Sequence, residues 1–141
     1  MTDIPMYLDV FLSPVRDNPI AQVALIAVLM LTALDVIFGL ANAFASKSFS
    51  SSKMRAGIAH KSASLGFVLV GIIVDGTICG GLDLGYESPV LTAVCVYLCL
   101  MELASLLETF AQLNPQLSNS PLFRLLEASG AISEGWEGTD D

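Results

Sequence analysis

The chain is poor in the residues that catalysis and metal binding use most often. It has 141 residues, of which one is histidine and three are cysteine. A single histidine excludes sites with several histidine ligands, and an odd number of cysteines in apolar segments argues against a disulfide framework. No glycine-rich phosphate loop, no metal-binding spacing of histidine and carboxylate, and no nucleophile with a nearby base occur in the sequence. We therefore expect no enzymatic activity and no cofactor.

Basic residues are also few. Six lysines and arginines stand against 14 aspartates and glutamates, which gives a formal net charge of -8. A nucleic acid needs a basic face to bind, and most polar segments here are acidic, so nucleic acid is excluded as a partner. Most of the basic residues lie in one segment, residues 46 to 61, which we call the basic hinge. They are Lys47, Lys53, Arg55 and Lys61.

Apolar residues dominate what remains. The chain is 54% hydrophobic, with a mean hydropathy of +0.69. Three apolar stretches, at about 20–45, 62–82 and 89–113, reach the roughly 20 residues that a helix needs to cross a bilayer. The sequence therefore predicts an all-α integral membrane protein with three transmembrane helices, with the lipid bilayer as a partner. Residues 1–113 form the transmembrane domain, and 114–141 form a short, acidic, partly flexible cytoplasmic tail.

The basic hinge predicts the orientation, because basic loops stay on the cytoplasmic side of the membrane. The N-terminus is then outside, and the tail that follows the third span is cytoplasmic. Residues 6–15 are partly apolar around Asp9 and precede the first span. We interpret them as a segment that lies at the membrane interface.

Polar and small residues recur at helical spacing in each apolar stretch. In a membrane helix such residues face protein or water, while the large apolar residues face lipid. One pair of glycines has the spacing that lets two helix backbones approach closely. We predict an intramembrane polar face, which lines a pore or joins subunits, made of Thr32, Asp35, Gly39, Asn42, Asp75, Gly76, Gly80, Glu102, Ser105 and Glu108.

The acidic residues of this face restrict its surroundings. A carboxylate at the centre of a membrane helix costs about 2.5 to 3.5 kcal/mol on insertion scales. Asp75 and Glu108 are near enough to the span ends to reach an interface, whereas Asp35 and Glu102 lie deeper. No basic residue lies inside the predicted spans to neutralise them. Two interpretations stay open: hydrogen bonds that hold a helical bundle together, or a water-filled opening in an oligomer.

Two parts of the chain resemble a known family. The run from Asp35 to Ala43, with the basic hinge after it, resembles the first-span-to-hinge signature of the phage lysis holins, which include small three-span phage holins and the clostridial toxin-release holin. Met101 to Thr109, followed by Pro121 to Leu126, is similar to the family's Glu-xx-Ser-xx-Glu-Asn segment and the proline-containing amphipathic stretch after it. Thr109 departs from the family's asparagine, and the tail is acidic where many holins end in basic residues.

The resemblance implies a homo-oligomer in the bacterial inner membrane that forms pores during host cell lysis. It would release an endolysin or a toxin without binding it directly. An alternative is a small membrane anchor or channel subunit that recruits a partner through the C-terminal tail. Phage lysis, toxin release and a defence effector that permeabilises membranes all remain compatible with the sequence.

Overall fold

The computed structural model describes residues 6–47, 50–82 and 88–128, and its regular structure there is helical, without a strand. The elements are α1 (Met6–Arg16), α2 (Pro19–Ala45), α3 (Ser51–Asp75), a π-helical segment (Gly76–Gly81), α4 (Val90–Leu113), a 3₁₀ turn (Pro115–Asn119) and α5 (Pro121–Ala128). Three helices are long and apolar enough to span a membrane: Pro19–Ala45, Met54–Gly81 and Val90–Leu113. The predicted all-α fold with three transmembrane helices is confirmed.

Several helices begin at a polar residue that precedes a proline. Asn18 stands before α2, Asn114 before the 3₁₀ turn and Ser120 before α5. The side-chain oxygen of Asn18 accepts hydrogen bonds from the backbone N–H groups of Ile20 and Ala21, at 3.0 and 3.2 Å. Proline is suited to the first helical position because its missing N–H would have no partner there. These short motifs set where α2, the 3₁₀ turn and α5 start.

Helix α1 contains a proline that does not break it. Pro14 has no N–H to donate to the carbonyl of Val10, four residues earlier. The hydroxyl of Ser13 donates to that carbonyl instead, at 2.8 Å. The helix therefore continues to Arg16, although an interior hydrogen bond of the backbone is lost.

An ion-paired corner joins α1 to α2. The Arg16 guanidinium pairs with the carboxylates of Asp9 and Asp17. The backbone carbonyl of Arg16 accepts a hydrogen bond from the Gln22 side chain at 2.7 Å. The hydrogen bond from Arg16 lowers the pKa of Asp17 below its ordinary value. Since these charged groups are exposed, the ion pairs stabilise the corner only weakly.

Much of the basic hinge is helical. Helix α3 begins at Ser51, well before the predicted start of the second span near residue 62. Its 25 residues have a length of about 37 Å, which exceeds a hydrocarbon core of about 30 Å. The first three turns of α3 contain Lys53, Arg55 and Lys61, so much of the basic hinge belongs to this helix.

The chain divides into two compact units, here called the first and second unit. The first comprises Met1–Met30 and Ser50–Cys99, and the second comprises Leu31–Phe49 and Leu100–Asp141. The core of the first unit draws on α2, α3 and α4 and consists of Ala21, Val28, Val68, Leu91, Val94, Cys95 and Leu98. The core of the second unit is smaller and consists of Ala104, Ala111 and Phe123, with Leu107 against it.

The C-terminal tail begins with ordered structure. Phe123 of α5 is only 9% exposed and packs in the core of the second unit with Ala104 and Ala111 of α4. Residues 114–128 of the predicted flexible tail therefore include a docked helix. The rest of that prediction, residues 129–141, lies outside the described residues.

Candidate functional site

The predicted polar face is divided between the two units. The first unit contains Asp75, Gly76 and Gly80, and the second contains Thr32, Asp35, Gly39, Asn42, Glu102, Ser105 and Glu108. Within each unit, these residues differ in burial and in the residues that they contact.

Asp75, in the first unit, caps the start of α4. Its two carboxylate oxygens accept hydrogen bonds from the backbone N–H groups of Val90, at 3.2 Å, and Leu91, at 2.8 Å. The residue before α4 is Pro89, whose side chain has no capping group, so the acid comes from α3 instead. A carboxylate at a helix N-terminus also interacts favourably with the helix dipole.

This contact adds to one expectation from the sequence. That Asp75 lies near a membrane interface stays a prediction; in the structure the residue is 2% exposed and its carboxylate is bound to the backbone of α4. The structure thus assigns Asp75 a capping role inside its own unit.

Gly71 makes this cap possible, and the sequence did not include it in the predicted site. A Cβ at Gly71 would lie 3.2 Å from the Cα of Leu91, which is 0% exposed. The missing side chain allows the first turn of α4 to lie against α3 one turn before Asp75. Its spacing of four residues from Asp75 was the available signal, because residues four apart share a helix face.

Gly76 and Gly80 contact α1. A Cβ at Gly76 would lie 2.7 Å from the Cα of Phe11 and 2.8 Å from its carbonyl oxygen. A Cβ at Gly80 would lie 2.7 Å from Cγ1 of Val10 and 3.4 Å from the hydroxyl of Ser13. The partner of this glycine pair in the first unit is therefore a helix of the same chain. A role for the pair between subunits stays a prediction.

Buried acids on two helices characterise the second unit. Asp35 of α2 is 9% exposed and Glu102 of α4 is 3% exposed. Glu108, six residues beyond Glu102 on α4, is partly buried and lies near Asp35. Neither α2 nor α4 contains lysine, arginine or histidine. The two helices thus bring acids together without supplying a cation of their own.

Neutral contacts lie beside these acids. The rings of Phe38 and Phe110 pack edge to face with centroids 4.8 Å apart. The Asn42 amide donates a hydrogen bond to the side-chain oxygen of Gln112. The sequence analysis assigned Asn42 to the polar face but did not include Gln112. Gln112 is the only other side-chain amide in the last turns of α2 and α4, and that position was the available signal. These contacts join α2 to α4 within the second unit.

The remaining residues of the predicted face are less enclosed. Thr32 and Ser105 are half-buried, and Gly39 is exposed. A Cβ at Gly39 would have nothing within 4 Å. This part of α2 therefore has open space beside it in the single subunit.

These features define a class of protein: a multi-pass α-helical membrane protein with carboxylates buried among its spanning helices. The model of the bacteriophage holin family matches residues 20–121, and the chain belongs to this family. The match covers the three apolar helices and every residue of the predicted polar face, and it confirms the resemblance seen in the sequence. No curated protein and no solved structure shows a significant match to the chain.

Proposed function

We propose that this holin-family protein accumulates in the bacterial inner membrane, assembles into homo-oligomers and permeabilises the membrane. The released cargo is an endolysin or a toxin that crosses the opening without binding to it. The N-terminus lies outside and the C-terminus is cytoplasmic, as the basic hinge favours.

The observation that carries the proposal is the pair of buried acids, Asp35 and Glu102, in the second unit. A charged side chain in hydrocarbon is costly, and α2 and α4 contain no basic residue that would neutralise it. Such acids favour any assembly in which water reaches them. In a single subunit, burial against protein keeps them away from lipid.

Association of many copies allows water to reach these acids. When polar faces of neighbouring subunits meet, the faces line a shared opening, and the acids are hydrated while the apolar residues remain in lipid. A small number of copies encloses too little space for water. Permeabilisation is therefore expected to begin abruptly, once the assembly passes a threshold size.

Inducible expression in bacteria tests this function directly. Growth and membrane potential are recorded together while the protein accumulates. The proposal predicts a lag followed by sudden collapse of the potential. A host that tolerates abundant membrane-inserted protein without such a collapse would contradict it.

Asp35→Leu tests the role of the buried acids. Removing the carboxylate is expected to change the onset of dye release, because the face no longer gains from hydration. Ile37→Leu is the matched control, since Ile37 is 59% exposed on the same helix and keeps its apolar character. Onset that is unchanged in Asp35→Leu at equal membrane abundance would argue against a role for this face.

The proposed orientation is tested by labelling single cysteines in a variant without the three native ones. Tyr7 of α1 is 76% exposed and Met54 in the basic hinge is 42% exposed. An impermeant maleimide should label Tyr7→Cys in cells whose outer barrier has been opened. Met54→Cys should react only after the inner membrane is permeabilised, and the reverse pattern would invert the topology.

A second candidate is a membrane anchor that recruits a partner through its tail. Leu125 of α5 is 68% exposed and offers an apolar contact, although Phe123 of the same helix is already buried. Two truncations separate the candidates: one ends after residue 128 and keeps α5, and the other ends after residue 113. The pore proposal predicts that the chain ending after residue 113 still permeabilises the membrane. Recruitment through the tail predicts that this chain has lost its function.

A further inference from the structure

The first turns of α3 have open space beside them in the single subunit. A Cβ at Gly57 would meet nothing within 4 Å, and the same holds at Gly66. These two glycines are nine residues apart, so they lie on opposite sides of the helix. Val68, by contrast, is 4% exposed and belongs to the core of the first unit. Packing of α3 against other helices is therefore concentrated after residues 51–66, here called the uncovered segment.

The uncovered segment is basic, and its own helix does not neutralise it. It contains Lys53, Arg55 and Lys61. The chain has no aspartate or glutamate between Asp35 and Asp75, so the first acid on α3 is its last residue. The positive end of the helix dipole lies at the same end as these cations. The segment therefore attracts an anionic partner.

Apolar side chains lie next to these charges. Met54, Ile58 and Leu65 are 42%, 61% and 43% exposed. Their spacings of four and seven residues place them on one side of the helix, and Lys61 falls between Ile58 and Leu65 on that side. Cations beside an exposed apolar stripe match a partner that offers both negative charge and hydrocarbon. An anionic phospholipid offers both, whereas free phosphate offers charge alone.

The length of the helix allows this segment to reach lipid headgroups. Helix α3 and the π-helical segment follow one another from Ser51 to Gly81, a length of about 45 Å. The hydrocarbon core of a bilayer is about 30 Å thick, and the bilayer with its headgroup layers is about 40–45 Å thick. A helix of this length can therefore extend from one headgroup layer to the other.

We propose that the uncovered segment of α3 binds anionic phospholipid headgroups. The Arg55 guanidinium donates hydrogen bonds to a lipid phosphate, Lys53 and Lys61 add positive charge, and Met54 and Ile58 contact the upper part of the acyl chains. The proposal goes beyond the proposed function and does not rest on it, because it requires only that the chain is inserted in a membrane.

Quenching by spin-labelled lipids tests the proposal. A fluorophore is attached to Ile58→Cys in a variant without the three native cysteines, and the full chain is reconstituted in phosphatidylcholine vesicles. The vesicles contain a small fraction of spin-labelled phosphatidylglycerol or of spin-labelled phosphatidylcholine. The anionic quencher should be enriched at the label, and Arg55→Gln should reduce this preference about fivefold, the equivalent of about 1 kcal/mol for one basic residue near an anionic surface.

Matched variants separate charge at this segment from other effects. Arg55→Lys keeps the charge and should retain the preference. Arg16→Gln should leave it unchanged, because the Arg16 guanidinium already pairs with Asp9 and Asp17. The preference should also weaken toward 1 M salt, where the Debye length is about 3 Å. Equal quenching by the two lipids, or a preference that Arg55→Gln does not reduce, would overturn the proposal.

The acidic tail is the other partner that this segment could attract. Residues 129–141 include Glu134, Glu137, Asp140 and Asp141. The quenching experiment is therefore repeated with a chain that ends after residue 128. Binding of lipid predicts a preference for phosphatidylglycerol in both chains. A preference seen only in the truncated chain would show that the tail occupies the segment, and the lipid proposal would be wrong. Because these experiments do not measure permeabilisation, their failure leaves the proposed function untouched.

Discussion

Both units bury a carboxylate in an apolar helix, but they satisfy it differently. In the first unit, Asp75 receives two backbone N–H groups from the start of α4. In the second unit, Asp35 and Glu102 are buried on helices that contain no basic residue, and Glu108 places a further carboxyl group near Asp35. Burial of an acid therefore does not by itself indicate a pore. The acid that caps a helix supports the fold, whereas we assign the buried acids of the second unit to the proposed hydrated face.

The units also differ in how their helices come together. In the first unit, glycines allow helix backbones to approach closely. Gly71 leaves space for Leu91, and Gly76 leaves space for Phe11. Side-chain contacts join the helices of the second unit, through the rings of Phe38 and Phe110. Close backbone contact tolerates little change of volume, whereas contacts between side chains adapt by changing rotamer. The first unit should therefore be the more sensitive to substitution.

The largest effect should come from Asp75→Leu. This change leaves two N–H groups of α4 without their acceptor, at a cost of about 2 kcal/mol each. We expect about 4 kcal/mol lower stability of the first unit, seen as reduced thermal stability in detergent and reduced accumulation in membranes.

Asp35→Asn provides the comparison for this variant. It keeps the shape of the side chain and removes its charge, so stability should change by less than about 1 kcal/mol while the onset of permeabilisation shifts. If Asp35→Asn were as destabilising as Asp75→Leu, the distinction between a capping acid and a functional acid would fail.

Phe123→Ala should have the next largest effect, confined to the second unit. Truncation of a buried phenylalanine costs about 3 kcal/mol when the surrounding structure does not collapse into the space. Helix α5 should then detach from Ala104 and Ala111, and hydrogen exchange of its amides should accelerate. Leu125→Ala is the control, since Leu125 is 68% exposed. Unaltered exchange in Phe123→Ala would show that this side chain does not hold α5 in place.

The hydrogen bond between Asn42 and Gln112 should contribute less. Hydrogen bonds between helices in membranes average about 0.6 kcal/mol in double-mutant cycles. The cycle uses Asn42→Leu, Gln112→Leu and the double variant, with unfolding measured in mild detergent. A coupling energy near zero would leave the aromatic pair and the small core as the contacts that join α2 to α4.

The smallest effect concerns pH at the α1 corner. The pKa of Asp17 is lowered by its hydrogen bond from Arg16, so the folded state favours the charged carboxylate. The contribution is present above the ordinary aspartate pKa, about 3.9, and is lost as the pH falls through the lower folded value. A fluorophore on α1 should report constant mobility from about pH 5 to 8 and a slight increase only below about pH 4. Mobility that changed near neutral pH would point to another titrating group.

The span count could be predicted from the sequence because it depends on length and hydropathy. A bilayer requires about 20 apolar residues per helix, and each stretch contained them without reference to any other part of the chain. Protein-facing positions for Asp35 and Glu102 followed in the same way, from the cost of exposing an acid to lipid. Both are buried.

The roles of Asp75 and α1 could not be predicted in this manner. Asp75 is separated from Leu91 by 16 positions, and only the approach of α4 to α3 at Gly71 brings the carboxylate to the N–H groups. The docking of α1 on Gly76 and Gly80 likewise joins segments that are far apart in sequence. Helix α3 also begins at Ser51, before the apolar stretch, because helical geometry continues into the basic hinge.

The sequence by itself determined that the chain has three stretches long and apolar enough to cross a membrane, where its charges lie and to which family it belongs, since these follow from composition, spacing and motifs along the chain. Only the tertiary structure decided which acid caps a helix, which acids are buried, and which helix covers the glycine pair. The reason is physical: a hydrogen bond or a close contact depends on distances of a few ångströms between segments, which packing sets and local sequence does not.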